Sequence, residues 1–305
     1  MYPESLIAQF FNEPIGSLQK AKRKLEHRIE DIIRSVSQSH ITSTVINQKE
    51  IRIIGLRRSG NHAIIRWLEK QQTGEVLHLN NIRVNENPYR DNYENLLRKN
   101  NSKNIERWQQ EARGFFTKKD CLLYSYEDYS LNQIANRRFE KTHDLYFGKS
   151  AERYDVIIMR DPFNLLASRI QQNYRAVKAP QKTDIDLWIE YAKEYLGETE
   201  YLKHNKVTIN YNRWFNQVDY RQEIASHLNL EFSDDGFHEV SQRGGGSSFD
   251  GREFHGKATA MDVLGRWKVF AEDTAYRKLF DNKELLEYSE TIFGSIPGTK
   301  FLEIS

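Results

Sequence analysis

The sequence predicts an α/β fold: a three-layer α/β/α domain with a central parallel sheet. Two observations support this prediction. Strand-like and helix-like patterns alternate from residue 49 onward, and Ile51–Leu68 reads as a strand, a glycine-bounded loop and a helix. Such alternation is typical of a parallel sheet that is covered by helices on both faces. Ligands of such sheets bind at the carboxyl ends of the strands, and we expect the functional site there.

The individual elements follow from hydrophobic periodicity. Short apolar runs predict strands at Ile51–Gly55, Val76–Leu79, Leu122–Tyr126, Val156–Met159 and Val207–Ile209. Apolar residues at helical spacing predict helices at Asn61–Gln71, Pro162–Ala176, Ile185–Leu196, Trp214–His227 and Trp267–Phe280. A polar insertion at 80–118, expected to be helical only near Ile105–Phe116, interrupts this order. Long insertions above a rigid sheet often carry specificity.

Residues 1–46 are predicted to form a separate N-terminal helical extension, and residues 47–305 the main domain. One apolar stripe marks the extension: Leu18, Ala21, Leu25, Ile29, Ile32 and Ile33. Basic residues occupy other positions of the same helix. We expect the helix to pack on the main domain or on a partner subunit, which leaves a homodimer open. A basic anchor for an anionic surface is the alternative.

The charge balance, the cysteine count and the length of the apolar runs limit the kinds of function that this chain can have. The 305 residues carry 45 Lys and Arg against 43 Asp and Glu, a formal net charge of +2. This balance gives no support to a nucleic-acid or membrane-surface role. The single cysteine, Cys121, excludes a disulfide within the chain. No apolar run approaches the ~20 residues that span a bilayer. We therefore expect a cytoplasmic protein.

The loop after the first strand of the main domain has the pattern of a phosphate cradle. Its two glycines keep the spacing of the nucleotide-binding P-loop, G-x-x-x-x-G-K-[ST]. Asn61 and His62 stand where that motif has its lysine and its Mg²⁺-binding hydroxyl, and the cations lie inside the loop, at Arg57 and Arg58. This P-loop-like strand–loop–helix predicts backbone binding of a phosphate other than a magnesium triphosphate.

A second anion site is predicted in Tyr154–Arg169. Arg160 follows a strand directly, and Asp161 and Pro162 suit the start of a helix. Ser168 lies eight residues after Arg160, about two turns into that helix. The guanidinium and the hydroxyl together could hold a second phosphate. The alternative is that the arginine pairs with the neighbouring aspartate or a helix end, and that the serine only packs.

Together the two blocks resemble sulfotransferases that use 3′-phosphoadenosine-5′-phosphosulfate (PAPS). That family has a loop similar to PKSGTTW, matched by Arg57–Ala63. Its second block, R-[DN]-P followed by a serine, is matched by Arg160–Pro162 and Ser168. Weaker matches are Gly265–Lys268, similar to a GDWK segment, and Val207–Arg213, at the place of a strand followed by YED.

The resemblance implies a set of PAPS-binding residues: Arg57, Arg58, Ser59, Gly60, Asn61, His62, Ala63, Arg160, Ser168 and Tyr211. Arg58 matches the lysine of the family's loop and would stabilise charge on the leaving phosphate. Arg160 and Ser168 would hold the 3′-phosphate, and Tyr211 would lie beside the adenine. The family's reaction requires no metal, which agrees with the missing magnesium ligand of the loop. A further phosphate contact is expected within 243–257, where Arg243, Arg252 and Lys257 are not ranked.

The resemblance also implies a general base, a histidine or a carboxylate near the end of a middle strand. Glu127 and Asp128 directly follow the predicted strand Leu122–Tyr126, and Glu127 is the first choice. His143 stands in a Lys-Thr-His triplet that echoes one branch of the family, and His62 is a further candidate. For each residue a capping or solvated role stays open.

The function expected from these features is metal-independent, in-line transfer of a sulfuryl group from PAPS to a hydroxyl or amine of a small polar acceptor. A P-loop kinase is the first alternative, although the lysine and hydroxyl that it needs are missing. The second is a non-catalytic nucleotide-binding protein of the same fold.

Overall fold

The computed structural model describes residues 14–37, 44–90, 93, 105–174, 176–240, 249–250 and 253–302. Within these residues, five strands form one parallel sheet. They are β1 (Val45–Gly55), β2 (Val76–Leu79), β3 (Lys119–Glu127), β4 (Lys149–Met159) and β5 (Val207–Asn210). Their order across the sheet is β2-β3-β1-β4-β5. The sheet confirms the predicted α/β class.

The helices lie before, between and after the strands. They are α1 (Pro14–Ser37), α2 (Asn61–Lys70), α3 (Ile105–Ala112), α4 (Leu131–Ile134), α5 (Arg137–Phe147), α6 (Pro162–Gln171), α7 (Asp184–Leu196), α8 (Tyr211–Asn216), α9 (Val218–His227), α10 (Thr274–Arg277) and α11 (Lys283–Phe293). Short 3₁₀ turns occupy Ala258–Ala260, Arg266–Phe270, Lys278–Phe280 and Lys300–Leu302.

The two faces of the sheet carry separate apolar cores, because successive side chains of a strand point to opposite faces. In β3, Leu122 and Tyr124 belong to one cluster, and Cys121 and Leu123 belong to the other. The four residues are fully buried. Helices cover both clusters, which gives the three predicted layers.

Two predicted helices are interrupted by local capping. Gln217 adopts an extended conformation (φ −125°, ψ 113°) and separates α8 from α9, where one helix from Trp214 to His227 was expected. In the second case, the Asp273 side chain accepts hydrogen bonds from the amides of Ala275 and Tyr276 and starts α10. This cap replaces the predicted helix Trp267–Phe280 by short turns. Side-chain caps of this kind outweigh an apolar period over short segments.

Helix α1 contacts the main domain through its polar side. Arg90 Nη2 lies 2.8 Å from Asp31, and Tyr146 donates to the same aspartate at 3.0 Å. The described residues of the apolar stripe face outward instead, since Leu25 and Ile32 are 59% and 63% exposed. Of the two expected packing partners, the main domain does not cover these residues, and packing on a partner subunit stays a prediction. None of the described helices combines the length and apolar character needed to cross a bilayer.

A buried polar network lies midway along β1. Glu50 accepts hydrogen bonds from Tyr124 (2.8 Å) and Ser150, and its Oε1 is 2.8 Å from His143 Nε2. Burial alone would lower the pKa of His143, but the Glu50 carboxylate and a bond to Asp144 raise it above its ordinary value. For the Glu50 carboxylate, burial acts in the opposite direction and would raise the pKa. The neighbouring His143 outweighs burial and lowers the pKa of Glu50 to about 2. The network therefore contains a buried ion pair.

We predict that His143→Gln lowers the free energy of unfolding at pH 6 by about 1.5–3 kcal/mol, because it removes one of two cations beside the buried Glu50 carboxylate and leaves Arg153, whose Nε lies 3.2 Å from Oε1. A raised histidine pKa stabilises the fold below the unfolded value of about 6.5. That contribution is lost as the pH rises through the folded value. Urea unfolding of the wild type and the variant between pH 5.5 and 9 should show the difference shrinking with pH.

The matched control is Lys141→Gln, an exposed neighbour on the same helix, which should leave the unfolding midpoint unchanged. A difference between wild type and His143→Gln that stayed constant over this pH range would contradict the ion pair.

Candidate functional site

A cavity of about 330 Å³ opens at the carboxyl edge of the sheet, where it was predicted. Among its lining residues are nine of the predicted site residues: Arg57, Arg58, Gly60, Asn61, His62, Ala63, Glu127, Arg160 and Tyr211. The strand register explains why they meet, because Gly55 lies beside Glu127 on one side and Ile158 on the other. The ends of β1, β3 and β4 are therefore level.

The glycine loop forms one wall of the cavity. Ser59 N donates to Leu56 O at 3.1 Å, and Arg58 and Gly60 adopt left-handed conformations with φ of 76° and 91°. Helix α2 begins at Asn61, and no side chain caps its amino end. The first amides of such a helix and its dipole favour an anion. The Ser59 hydroxyl finds no hydrogen-bond partner among the described residues, but the residue is buried and does not line the cavity.

An aromatic surface adjoins the loop. A Cβ atom at Gly60 would lie 2.1 Å from the Tyr211 ring, so only glycine lets the loop and the ring approach this closely. Tyr211 stacks on Trp214 with ring centroids 5.7 Å apart and an interplanar angle of 26°. Phe215 and Phe237 continue this wall of the cavity. Flat aromatic surfaces of this kind suit a nucleobase.

Arg160 connects the loop to the second predicted block. Its side chain is 2% exposed, and Nη1 donates to Arg58 O at 3.0 Å and to Ser168 Oγ at 3.2 Å. Nη2 donates to Val263 O. The alternative pairing with Asp161 does not form a hydrogen bond, since that carboxylate caps α6 and binds asparagine side chains. Ser168 is fully buried behind the arginine and does not line the cavity.

Arg266 is the site residue that the sequence analysis missed. Its Nη1 donates to Ser168 Oγ at 3.4 Å, so one hydroxyl holds the guanidinium groups of both Arg160 and Arg266. Burial and the nearby Arg160 lower the pKa of Arg266, and the same two causes lower the pKa of Arg58. Arg266 Nη2 lies 3.5 Å from the Asp250 carboxylate. Arg160 and Arg266 are buried and Arg58 is half-buried, and the mutual repulsion of these three cations favours binding of an anion.

A sequence signal for Arg266 existed in Gly265–Lys268, where the chain resembles a GDWK segment but carries arginine in place of aspartate. Of the residues left unranked, Lys257 is exposed and does not line the cavity. Arg243 and Arg252 lie outside the described residues.

Glu127 lies at the end of β3 and faces the cavity. It is 7% exposed, and its Oε1 accepts a hydrogen bond of 3.0 Å from Asn61 Nδ2. The other oxygen, Oε2, lies 3.7 Å from Arg57 Nε. A carboxylate in this position could accept a proton from a molecule bound in the cavity.

The structure does not bring Asp128 or His143 to the cavity wall. Asp128 is fully buried, pairs with Arg169 at 2.9 Å and accepts from Arg57 N at 2.9 Å, so its carboxylate supports the loop. His143 binds Glu50, which precedes Gly55 by five residues, or about 17 Å along a strand. Burial beside Glu50 is the physical reason for its absence from the site.

The cavity wall next to Glu127 is polar. Asn80 and Asn81, from the start of the polar insertion, line it together with Tyr174. His62 Nε2 lies 3.1 Å from Asn80 Oδ1, so this candidate base faces the same side of the cavity. The insertion therefore does contribute to the site, as predicted.

The fold and this cavity define a three-layer α/β/α protein with a glycine-bounded loop between β1 and α2. No protein-family model matches the chain, and no curated protein does. Among solved structures, it is similar to mouse sulfotransferase SULT7A1 complexed with PAP, at 9% identity and a TM-score of 0.44, covering 86% of this chain and 91% of that one. It is also similar to retinol dehydratase in complex with androsterone and inactive cofactor PAP, at 12% identity and a TM-score of 0.36, covering 83% and 81%.

We predict that sulfate raises the thermal midpoint of the wild type and that Arg266→Gln reduces this shift by about half or more, because it removes one of three crowded cations. Differential scanning fluorimetry with sodium sulfate, against sodium chloride of equal ionic strength, measures the shift. The exposed Lys257→Gln serves as the charge-matched control and should respond as the wild type does. Equal shifts in both variants would show that the cluster does not bind anions.

Proposed function

We propose that this chain is a PAPS-dependent sulfotransferase that acts on a hydroxyl or amine of a small polar acceptor. The observation that supports the proposal is the hydrogen bond of 3.0 Å from Arg160 to Arg58 O: these residues, predicted to bind two different phosphates, are neighbours and line one cavity. A nucleotide with phosphates at both its 5′ and its 3′ positions matches this pair of sites. The motif order along the chain supports the same donor.

The residues present fit such a nucleotide. Ser59 and the first amides of α2 would hold the 5′-phosphate, next to Arg58. Arg160 and Arg266 would hold the 3′-phosphate, and Ser168 would fix the two guanidinium groups relative to each other. Tyr211 would contact the adenine. Where a P-loop kinase needs a lysine and a Mg²⁺-binding hydroxyl, the loop has an amide and an imidazole.

Bound PAPS would supply a sulfuryl group joined to a phosphate leaving group. The chain would contribute charge, orientation and a proton acceptor. Arg58 is placed to offset charge that builds up on the 5′-phosphate oxygen, and the helix dipole of α2 acts in the same direction. Glu127 would accept the proton of the acceptor group. Binding both substrates with the acceptor atom, the sulfur and the leaving oxygen in line would lower the barrier further.

The acceptor would lie against the polar wall formed by Asn80, Asn81, Arg57 and Tyr174. Amide groups can donate and accept hydrogen bonds, and a guanidinium group can donate several, so together they can bind more than one hydroxyl. An apolar acceptor would leave these groups unpaired, which is unfavourable in a partly enclosed cavity. A small hydroxylated or amine acceptor therefore fits better than a steroid-like one.

We predict that adenosine 3′,5′-bisphosphate binds the wild type at least about tenfold more tightly than ADP with Mg²⁺, since each charge-assisted bond contributes roughly 1.5–3 kcal/mol. Arg160→Ala and Arg266→Gln should each remove most of this preference. Isothermal titration calorimetry measures it. Tighter, Mg²⁺-dependent binding of ADP or ATP would favour a kinase and contradict the proposal.

We also predict that Glu127→Gln lowers kcat by about 10²–10⁴-fold, the usual contribution of a general base. The amide is isosteric, so the affinity for adenosine 3′,5′-bisphosphate should not change. Sulfuryl transfer from PAPS to a panel of hydroxylated and amine acceptors provides the measurement. Tight nucleotide binding without turnover in the wild type would instead indicate a non-catalytic binding protein.

A further inference from the structure

Asn61 occupies the position at which P-loop enzymes carry their phosphate-binding lysine, but its side chain does not extend toward the cavity centre. It is 4% exposed and turned back into the loop. Its amide nitrogen donates one hydrogen bond to Leu56 O and another to Glu127 Oε1, both of 3.0 Å. These two bonds use both hydrogens of the amide. The side chain therefore connects the phosphate loop to the proposed base.

Gly55 provides the space for this arrangement. A Cβ atom built on it would lie 2.4 Å from Asn61 Oδ1, closer than non-bonded atoms approach. The φ angle of Gly55 is not in the left-handed region, so its backbone would accept any residue. The close approach of the Asn61 amide is thus what requires glycine at the end of β1.

We propose that Asn61 is a positioning residue, which orients the Glu127 carboxylate for proton transfer. This inference rests on the function proposed above. The bond from Asn61 engages Oε1 and leaves Oε2, 3.7 Å from Arg57 Nε, to receive the proton. As the acceptor oxygen forms its bond to sulfur, its proton passes to Oε2. The bond between sulfur and the phosphate oxygen breaks, and its electron pair remains on that oxygen.

The hydrogen bond between Asn61 and Glu127 couples the proposed base to the start of α2. Asn61 is the first residue of α2, and the first amides of this helix are the proposed seat of the 5′-phosphate. One short rigid unit therefore sets both the position of the leaving group and the direction of the base. A lysine in this place would add a third cation to the loop but would not form the hydrogen bond that fixes Glu127.

Two single variants and their combination test the proposal. Asn61→Ala removes the bond, and Gly55→Ala displaces the same amide without changing it. We expect each to lower kcat by at least about tenfold, the lower range for an impaired general base. The affinity for adenosine 3′,5′-bisphosphate, measured by calorimetry, should stay within about threefold of the wild type, because the loop amides are retained. The double variant should be no slower than Asn61→Ala, since both changes act on one contact.

Three outcomes would overturn the proposal. Equal losses of kcat and of bisphosphate affinity would make Asn61 a phosphate ligand. Additive losses in the double variant would show that Gly55→Ala acts elsewhere. Unchanged kcat in Asn61→Ala, with a thermal midpoint equal to that of the wild type, would show that Glu127 needs no such support. A wild type that neither binds the bisphosphate nor transfers sulfuryl groups refutes the proposed function itself, and is thus distinct from these three.

Discussion

The buried guanidinium of Arg160 is the interaction on which the rest of the site depends. Removing a cation from water is unfavourable unless it is paired. The hydrogen-bond partners described for Arg160 are nevertheless neutral: the carbonyl groups of Arg58 and Val263 and the hydroxyl of Ser168. These bonds fix the orientation of the Arg160 guanidinium but do not neutralise its charge. An anion bound in the cavity would stabilise the charged side chain.

The segment that contains Arg160 also stabilises the glycine loop between β1 and α2. Arg160 binds the carbonyl of Arg58, whose left-handed backbone (φ 76°) is unfavourable for a side chain of this size. Arg169, from the following helix, binds the carbonyl of Arg57 and the carboxylate of Asp128. Two arginines of the β4–α6 unit therefore hold a loop that follows β1. We infer that this tertiary support, more than local sequence, gives the loop its conformation.

Features set by residues close together in the sequence could be predicted, whereas features set by contacts between distant residues could not. The strand Val76–Leu79 was predicted with its observed bounds, because apolar periodicity is a local property. The GDWK-like segment offered a local signal for Arg266 itself, but its contact with Ser168 joins residues 98 positions apart and could not be inferred from either segment alone. His143 was proposed as a base because its Lys-Thr-His triplet resembles a family motif. Its burial beside Glu50 depends instead on the packing of α5 against β1.

Buried arginines of this fold differ in the charge of their hydrogen-bond partners. Arg52, midway along β1, meets two carboxylates, Asp155 at 2.8 Å and Glu140 at 2.7 Å, so its charge is compensated within the fold. At the carboxyl edge, by contrast, the hydrogen-bond partners described for Arg160 are neutral oxygens. This difference in partners supports the proposed binding of an anion beside Arg160. Burial alone does not distinguish the two cases; the identity of the hydrogen-bond partners does.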